Sequence, residues 1–325
     1  MTPPIGKSVC RLTPKSWMLG SSIICERITA LVPPNAIASW QDNDNTFYLR
    51  ERIDEDLSSP KDDFETGKIH EAGTSAAVWT TSPSIFCKVK AWVEGMELES
   101  DTIAFVKSNA PEIPVPEVVH TWIDRSWNRT FLLLRRVEGK TLDEQWTRFS
   151  LDQRRQIANE VVGFCCRLAL ITSSRFETAT GRGVVEPFLN STAEASHPSW
   201  KPRLIGSFSA ESFHTHLSFL APASHLISTL NTGNRFHFYH ADLGPTNIMV
   251  SDRGTVTGIL DWESAAYYPS FWIVVKVGIS ADFLLQRDRT DPRAWGVILR
   301  EGFQKAGFEE GEGWVEWWRK KRGGK

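Results

Sequence analysis

The chain lacks any long uninterrupted apolar run. Its most apolar stretch, Tyr267 to Leu285, is broken by Lys276 and Asp282. Charges at those depths argue against a membrane span of ~20 residues. The opening MTPPIGKSVCRLTPK has no apolar core segment, so no secretory leader is expected and a cytoplasmic location is. Cysteine is sparse: Cys10, Cys25, Cys87, Cys165 and Cys166 form no C-x-x-C pair. That pattern speaks against a zinc site or a redox dithiol and suits a reducing compartment. Strong net charge is also missing, with 37 basic and 39 acidic residues giving −2. The one basic run, Arg319 to Arg322, reads as a solvated tail. Without a basic face, no nucleic-acid partner is expected. No membrane partner and no obligate protein partner are expected either. Asn128-Arg-Thr130 and Asn190-Ser-Thr192 match the glycosylation pattern, but without a leader they read as chance matches. Internal repeats are absent.

What is present is ordinary globular composition. The 325 residues are 41% hydrophobic and 23% charged, with 14 tryptophans. That length suits one large domain or two lobes around a cleft, and the tryptophans suit core packing. Residues 1–62 read as an irregular N-terminal extension, because DNDN and IDEDLSSPKDD are loop-like. Short apolar pieces such as SSIIC (21–25) are expected to pack onto the body. The pattern changes at Lys68. Strands are expected around 75–80 and 84–91, joined by Thr81-Ser82-Pro83. An amphipathic helix follows over 95–111, ended by Pro111, then an extended 113–123 and a strand over 130–137. Strand, strand, helix, strand, strand makes a small β-rich first lobe over 63–137. Residues 138–325 read as a larger, mostly helical second lobe. Its helices are expected starting at 142–147, over 151–171 and from 210 to about 230, and the remainder after Trp272 reads as mostly helical and ends in a Trp-rich stretch; 172–210 is loop-rich.

One segment carries chemistry: FHFYHADLGPTNIMVSDRGTVTGILDWESAAYYP, beginning at Phe236. His240 to Asn247 is a polar loop. Ile248–Val250 and Val256–Leu260 read as two strands joined by the turn Ser251-Asp252-Arg253-Gly254. Folding that hairpin brings Asn247 and Asp261 close together. Asp242, Asn247 and Asp261 then offer hard oxygen atoms, the ligand class that suits magnesium. Phosphoryl transfer needs such a metal site, together with a carboxylate that orients the attacking hydroxyl and takes its proton.

The pattern His240-x-Asp242-x4-Asn247, followed by Asp261, resembles the catalytic and metal-binding set of the protein-kinase-like superfamily. Its details look most like aminoglycoside phosphotransferases and choline kinases, especially the fungal aminoglycoside-phosphotransferase-like branch. Gly244 stands where protein kinases usually carry Lys, D-F-G is replaced by D-W-E, and no A-P-E follows. The resemblance covers roughly residues 65 to 285. It implies an α+β, two-lobed kinase-like fold and an enzyme that uses ATP and Mg2+ on a small-molecule hydroxyl acceptor. Asp242 would be the base and His240 would buttress its loop. Asn247 and Asp261 would hold the metal, and Glu263 would assist there or orient Asp261. Lys88 would meet the α/β-phosphates and pair with Glu99. Lys90 shares the strand face of Lys88, so phase does not separate the two. Gly73, in Gly73-Thr74-Ser75, would offer backbone amides to phosphate. The stretch around Arg135 to Val137 would face adenine. Two other readings stay open. One is a catalytically weak or inactive kinase-like module that holds nucleotide or a partner; the other is a Ser/Thr protein kinase, against which Gly244 and the missing A-P-E both count.

Overall fold

Residues that alternate between buried and half-buried organise the first part of the chain. The computed structural model describes residues 2–53, 67–191, 194, 196–220 and 235–308. Met1–Glu94, Glu117–Arg136 and Ala193–Pro202 form one compact unit. Residues 2–53, expected to be irregular, are instead a five-stranded antiparallel sheet. It comprises β1 (Val9–Thr13), β2 (Ser16–Leu19), β3 (Ile23–Ile28), β4 (Ala38–Asp42) and β5 (Asn45–Glu51), in the order β1-β2-β3-β5-β4. The loop-like sequence DNDN is the hairpin turn between β4 and β5, with Asn43 at φ 53°. Asn tolerates this left-handed backbone better than most residues. Polar turns this close together hid strands of four to seven residues.

A second sheet follows. β6 (Lys68–Ala72), β7 (Ala76–Ser82), β8 (Ile85–Ala91), β9 (Val118–Asp124) and β10 (Arg129–Arg135) are ordered β6-β7-β8-β10-β9. The two sheets share one core. Trp17, Ile23, Cys25, Phe47 and Leu49 of the first meet Trp79, Ile85, Cys87, Val89 and Phe131 of the second. The expectation that SSIIC packs onto the body is met by Ile23 and Cys25. Burying each large apolar side chain is worth ~1.5–3 kcal/mol. On β8 the core takes Ile85, Cys87 and Val89. Phe86, Lys88 and Lys90 therefore share the opposite face.

The second unit comprises Gly95–Pro116, Val137–Thr192 and Arg203–Lys325. It contains α1 (Glu99–Asn109), although sequence order places this helix among the strands of the first unit. Strand β11 (Lys140–Thr141) leads into α2 (Leu142–Gln145) and α3 (Leu151–Ala169). Ser150 caps α3 through a reciprocal capping box with Gln153. Its buried stripe includes Ile157, Val161, Val162 and Leu168, as the spacing predicts; Cys165 is buried with them, whereas Phe164, expected on that face, is only half-buried. Among its described residues, the segment expected to be loop-rich holds short strands, β12 (Thr172–Ser173), β13 (Arg175–Phe176) and β14 (Phe208–Ser209), and a 3-10 turn at Pro187–Leu189. Helix α4 covers Ala210–Leu220; the rest of the expected 210–230 helix and the Trp-rich stretch near the C-terminus lie outside the described residues. The remaining elements are β15 (Phe236–Tyr239), β16 (Ile248–Val250), β17 (Val256–Ile259), β18 (Ala266–Tyr268), α5 (Trp272–Ile279) and α6 (Ala294–Lys305). Strands dominate the first unit and helices the second, which is the α+β composition expected. Among the described residues, no helix is long and apolar enough to cross a membrane.

Candidate active site

Two strand pairs present the polar loop. β15 lies against β18, with Tyr239 opposite Ala266, and delivers His240. β16 and β17 form the expected hairpin, with Ile248 opposite Ile259. The amide of Leu260 then reaches the carbonyl of Asn247 at 2.8 Å. The hairpin thus places Asn247 and Asp261 at neighbouring ends, as its sequence predicts. Gly258 has a packing reason, because a Cβ there would overlap Val137.

His240 is fully buried and edge-on to Trp262. Its Nδ1 accepts the Asp242 amide at 3.2 Å, so the proton sits on Nε2, which donates to the Leu260 carbonyl at 2.9 Å. One neutral imidazole therefore ties the loop to the end of the hairpin. Ala241 (φ 61°) and Asp261 (φ 65°) both adopt the left-handed conformation that L side chains disfavour. Each costs roughly 1–2 kcal/mol, and each adjoins a residue of this bonded network.

Asn247 donates through Nδ2 to Oδ2 of Asp242 at 3.0 Å and to the Asp242 carbonyl at 2.9 Å. Its amide oxygen is directed elsewhere by the same geometry. Oδ1 of Asp242 is buried and has no hydrogen-bond partner among the described residues. Such an orphaned acceptor costs roughly 1–3 kcal/mol. Burial pushes the Asp242 carboxyl up to about 7; the charge of Lys276 opposes that shift, while Asp261, Asp282 and Glu263 add to it. A carboxylate whose burial raises its proton affinity, with one oxygen unpartnered among the described residues, is suited to proton exchange.

Carboxylate oxygens of Glu99, Asp261 and Glu263 lie within 4.8 Å of one another, each residue partly exposed. Three hard donors this close fit one divalent cation. Glu99, expected as the partner of Lys88, is the first residue of α1 and accepts the Trp262 amide at 3.1 Å, next to Asp261. Lys88 is half-buried on β8, and Lys90 more deeply buried on the same face. Gly73 is exposed in the β6–β7 turn at φ 54°, where a Cβ would meet nothing within 4 Å. The amide of Arg135 is spent on the Glu117 carbonyl at 2.9 Å, and its side chain pairs with Glu117 at 3.0 Å. The chain passes from one unit to the other between Arg136 and Val137.

A buried ion pair escaped sequence reading. Lys276 on α5 meets Glu186 at 2.6 Å, with side chains only 4% and 0% exposed. The ring of Phe188 lies 4.6 Å from the ammonium. Its one sequence signal was a lysine inside an apolar run.

A comparison with proteins of curated function finds no match. Solved structures that align with the chain include aminoglycoside phosphotransferase APH(3'')-Id from Streptomyces rimosus, at 17% identity. The alignment covers 77% of this chain and 89% of that one, with a TM-score of 0.47. An aminoglycoside-3'-phosphotransferase of type VIII follows at 15% identity, 78% and 93% coverage and TM-score 0.46. A thermostable mutant of APH(4)-Ia, in a ternary complex with ADP and hygromycin B, aligns at 14% identity, 74% and 77% coverage and TM-score 0.45. Residues 75–296 match the family described as "Phosphotransferase enzyme family". That span is well over half of the sequence and includes the whole His240–Glu263 segment, so the chain belongs to the phosphotransferase enzyme family.

Proposed function

We propose that the protein transfers the γ-phosphate of ATP to a hydroxyl of a small molecule, with Asp242 as the base. The observation that carries this reading is the orphaned Oδ1 of Asp242, held in place by Asn247 and His240. An acceptor hydroxyl hydrogen-bonded to Oδ1 would be oriented for attack and would pass its proton to that oxygen. The new bond joins the acceptor oxygen to the γ-phosphorus. The bond to the bridging oxygen breaks, and ADP leaves. Asp261 and the amide oxygen of Asn247 would hold Mg2+, with Glu263 and Glu99 beside Asp261. Bound there, magnesium supplies charge neutralisation at phosphate oxygens. Lys88 is our choice for the α/β-phosphates and Glu99 for its partner. Gly73 would offer its amide to phosphate, and Val137 and the Arg135 carbonyl would face adenine. Free cysteines, three of them buried, fit a cytoplasmic setting.

The test is ADP release by purified protein with Mg2+ and ATP, across a panel of hydroxylated acceptors. Asp242→Ala should lower transfer by about 10²–10⁴-fold while nucleotide binding persists. Normal turnover by that variant would remove Asp242 from the role. A second reading rests on the single glycine of the β6–β7 turn, a thin phosphate loop. A nucleotide-binding module without turnover would show a thermal shift with Mg2+ and ATP but no ADP release with any acceptor.

A further inference from the structure

A cavity of about 490 Å³ opens at one end of the double sheet, within the first unit and built by residues outside the proposed catalytic set apart from Gly73. Pro3, Ile5, Gly73, Trp127, Arg129 and Trp200 line it. The volume falls in the range of small-molecule pockets, and the lining is mostly apolar with few polar groups.

The polar group that matters is Arg129, which is only 5% exposed. Its Nη1 donates to Oγ of Ser8 at 2.6 Å and its Nη2 to the Pro3 carbonyl. Its guanidinium carbon stands 5.4 Å from the Trp127 ring centroid. A guanidinium carries five N–H donors, and these two acceptors, both neutral, are its only hydrogen-bond partners among the described residues. Asp124 is near enough to favour its charge, but the oxygens of that carboxylate accept the amides of Ser21 and Trp127 at 2.6 and 3.0 Å. Burying a cation costs several kcal/mol unless an anion with good geometry answers it. Among the described residues that answer is incomplete.

The plain alternative is that Arg129 only ties the segment around Pro3 to the sheets. That accounts for two donors. It does not account for the cavity, nor for indoles on its wall beside a buried cation. Trp127 and the 41% exposed Trp200 offer flat apolar surface. Glu71, also on the wall and ion-paired with Lys68, would repel a dianion such as a phosphate monoester. A singly charged carboxylate matches one guanidinium fork.

We propose that this cavity binds a small aromatic carboxylate, its charge on Arg129 and its ring against the indoles of Trp127 and Trp200. The ligand would also touch the Gly73 turn between β6 and β7 and so would stiffen it.

The probe is indole-3-carboxylate, with neutral indole-3-carboxamide as control, titrated into the full chain by calorimetry. The Nε–Hε resonance of Arg129 is followed in parallel. The carboxylate should bind at least about tenfold more tightly than the amide, a difference of about 1.4 kcal/mol, and should shift the Arg129 resonance. Trp200→Ala should weaken binding by about fivefold or more and leave the melting temperature of the unligated protein unchanged. Arg129→Lys keeps the charge but loses the fork, and should erase most of the preference for carboxylate. The proposal is overturned by equal binding of carboxylate and amide. It is equally overturned by unchanged affinity in Trp200→Ala, or by no binding up to about 10 mM, beyond which affinity is negligible.

Discussion

The ring of His240 donates to the carbonyl of Leu260 at 2.9 Å while accepting the amide of Asp242. A residue that satisfies a loop and a hairpin end at once has no isosteric apolar substitute. His240→Leu should cost about 2–4 kcal/mol in stability, from two lost hydrogen bonds and the buried groups they leave. Turnover should fall by about 10²-fold, because Asp242, the proposed base, would be displaced from its productive position. Chemical denaturation and steady-state kinetics read the two effects.

Asp242 predicts a trade between stability and activity. Its folded-state pKa of about 7 lies above the ordinary carboxylate value of 3.8. Below the ordinary value both folded and unfolded chains hold the proton, and the group adds no pH-dependent cost. As pH rises toward 7 the unfolded chain releases it first, so stability falls, and the loss is complete above 7. Asp242→Asn removes that penalty. In metal-free buffer the variant should be more stable than the parent by roughly 2–4 kcal/mol at pH 8, and by little at pH 4. A gain that did not grow with pH would remove the electrostatic explanation.

Lys276 and Glu186 form a pair with almost no solvent contact. Removing one charge strands the other. Lys276→Met or Glu186→Leu alone should destabilise by about 3–5 kcal/mol, while Lys276→Met/Glu186→Leu should recover much of the loss. Thermal melts of the three variants, assembled as a double-mutant cycle, measure the coupling.

Asp261 sits with two other carboxylates. Asp261→Asn should raise the magnesium concentration needed for half-maximal ADP release by about tenfold or more, because it removes one charge from the proposed metal site.

The sheet of residues 2–53 shares its core with the second sheet. A chain starting at Gly67 would expose Trp79, Val89 and Phe131 to water. It should aggregate on expression, which size-exclusion chromatography would show.

Local pattern carried much of this structure. The β16–β17 hairpin, α3 and β8 follow from spacing, turn residues and caps within a few positions of each other. The loop constellation of His240, Asp242 and Asn247 was readable for the same reason: one short segment holds all three. What escaped was non-local. The sheet of residues 2–53 pairs β3 with β5 across β4, and no alternation within one short strand announces that. Glu186 and Lys276 are 90 positions apart, and Glu99 is 163 from the amide it accepts. Tertiary contact decided those positions, and no single-residue propensity encodes it.

Gly244 lies so close to the main chain at Asp282 that a Cβ would overlap the Asp282 carbonyl. This is the position at which protein kinases usually carry lysine. A point mutation cannot install that cation here, because the space is already filled by backbone. Any drift of this scaffold toward polypeptide substrates would first have to rebuild the turn after α5.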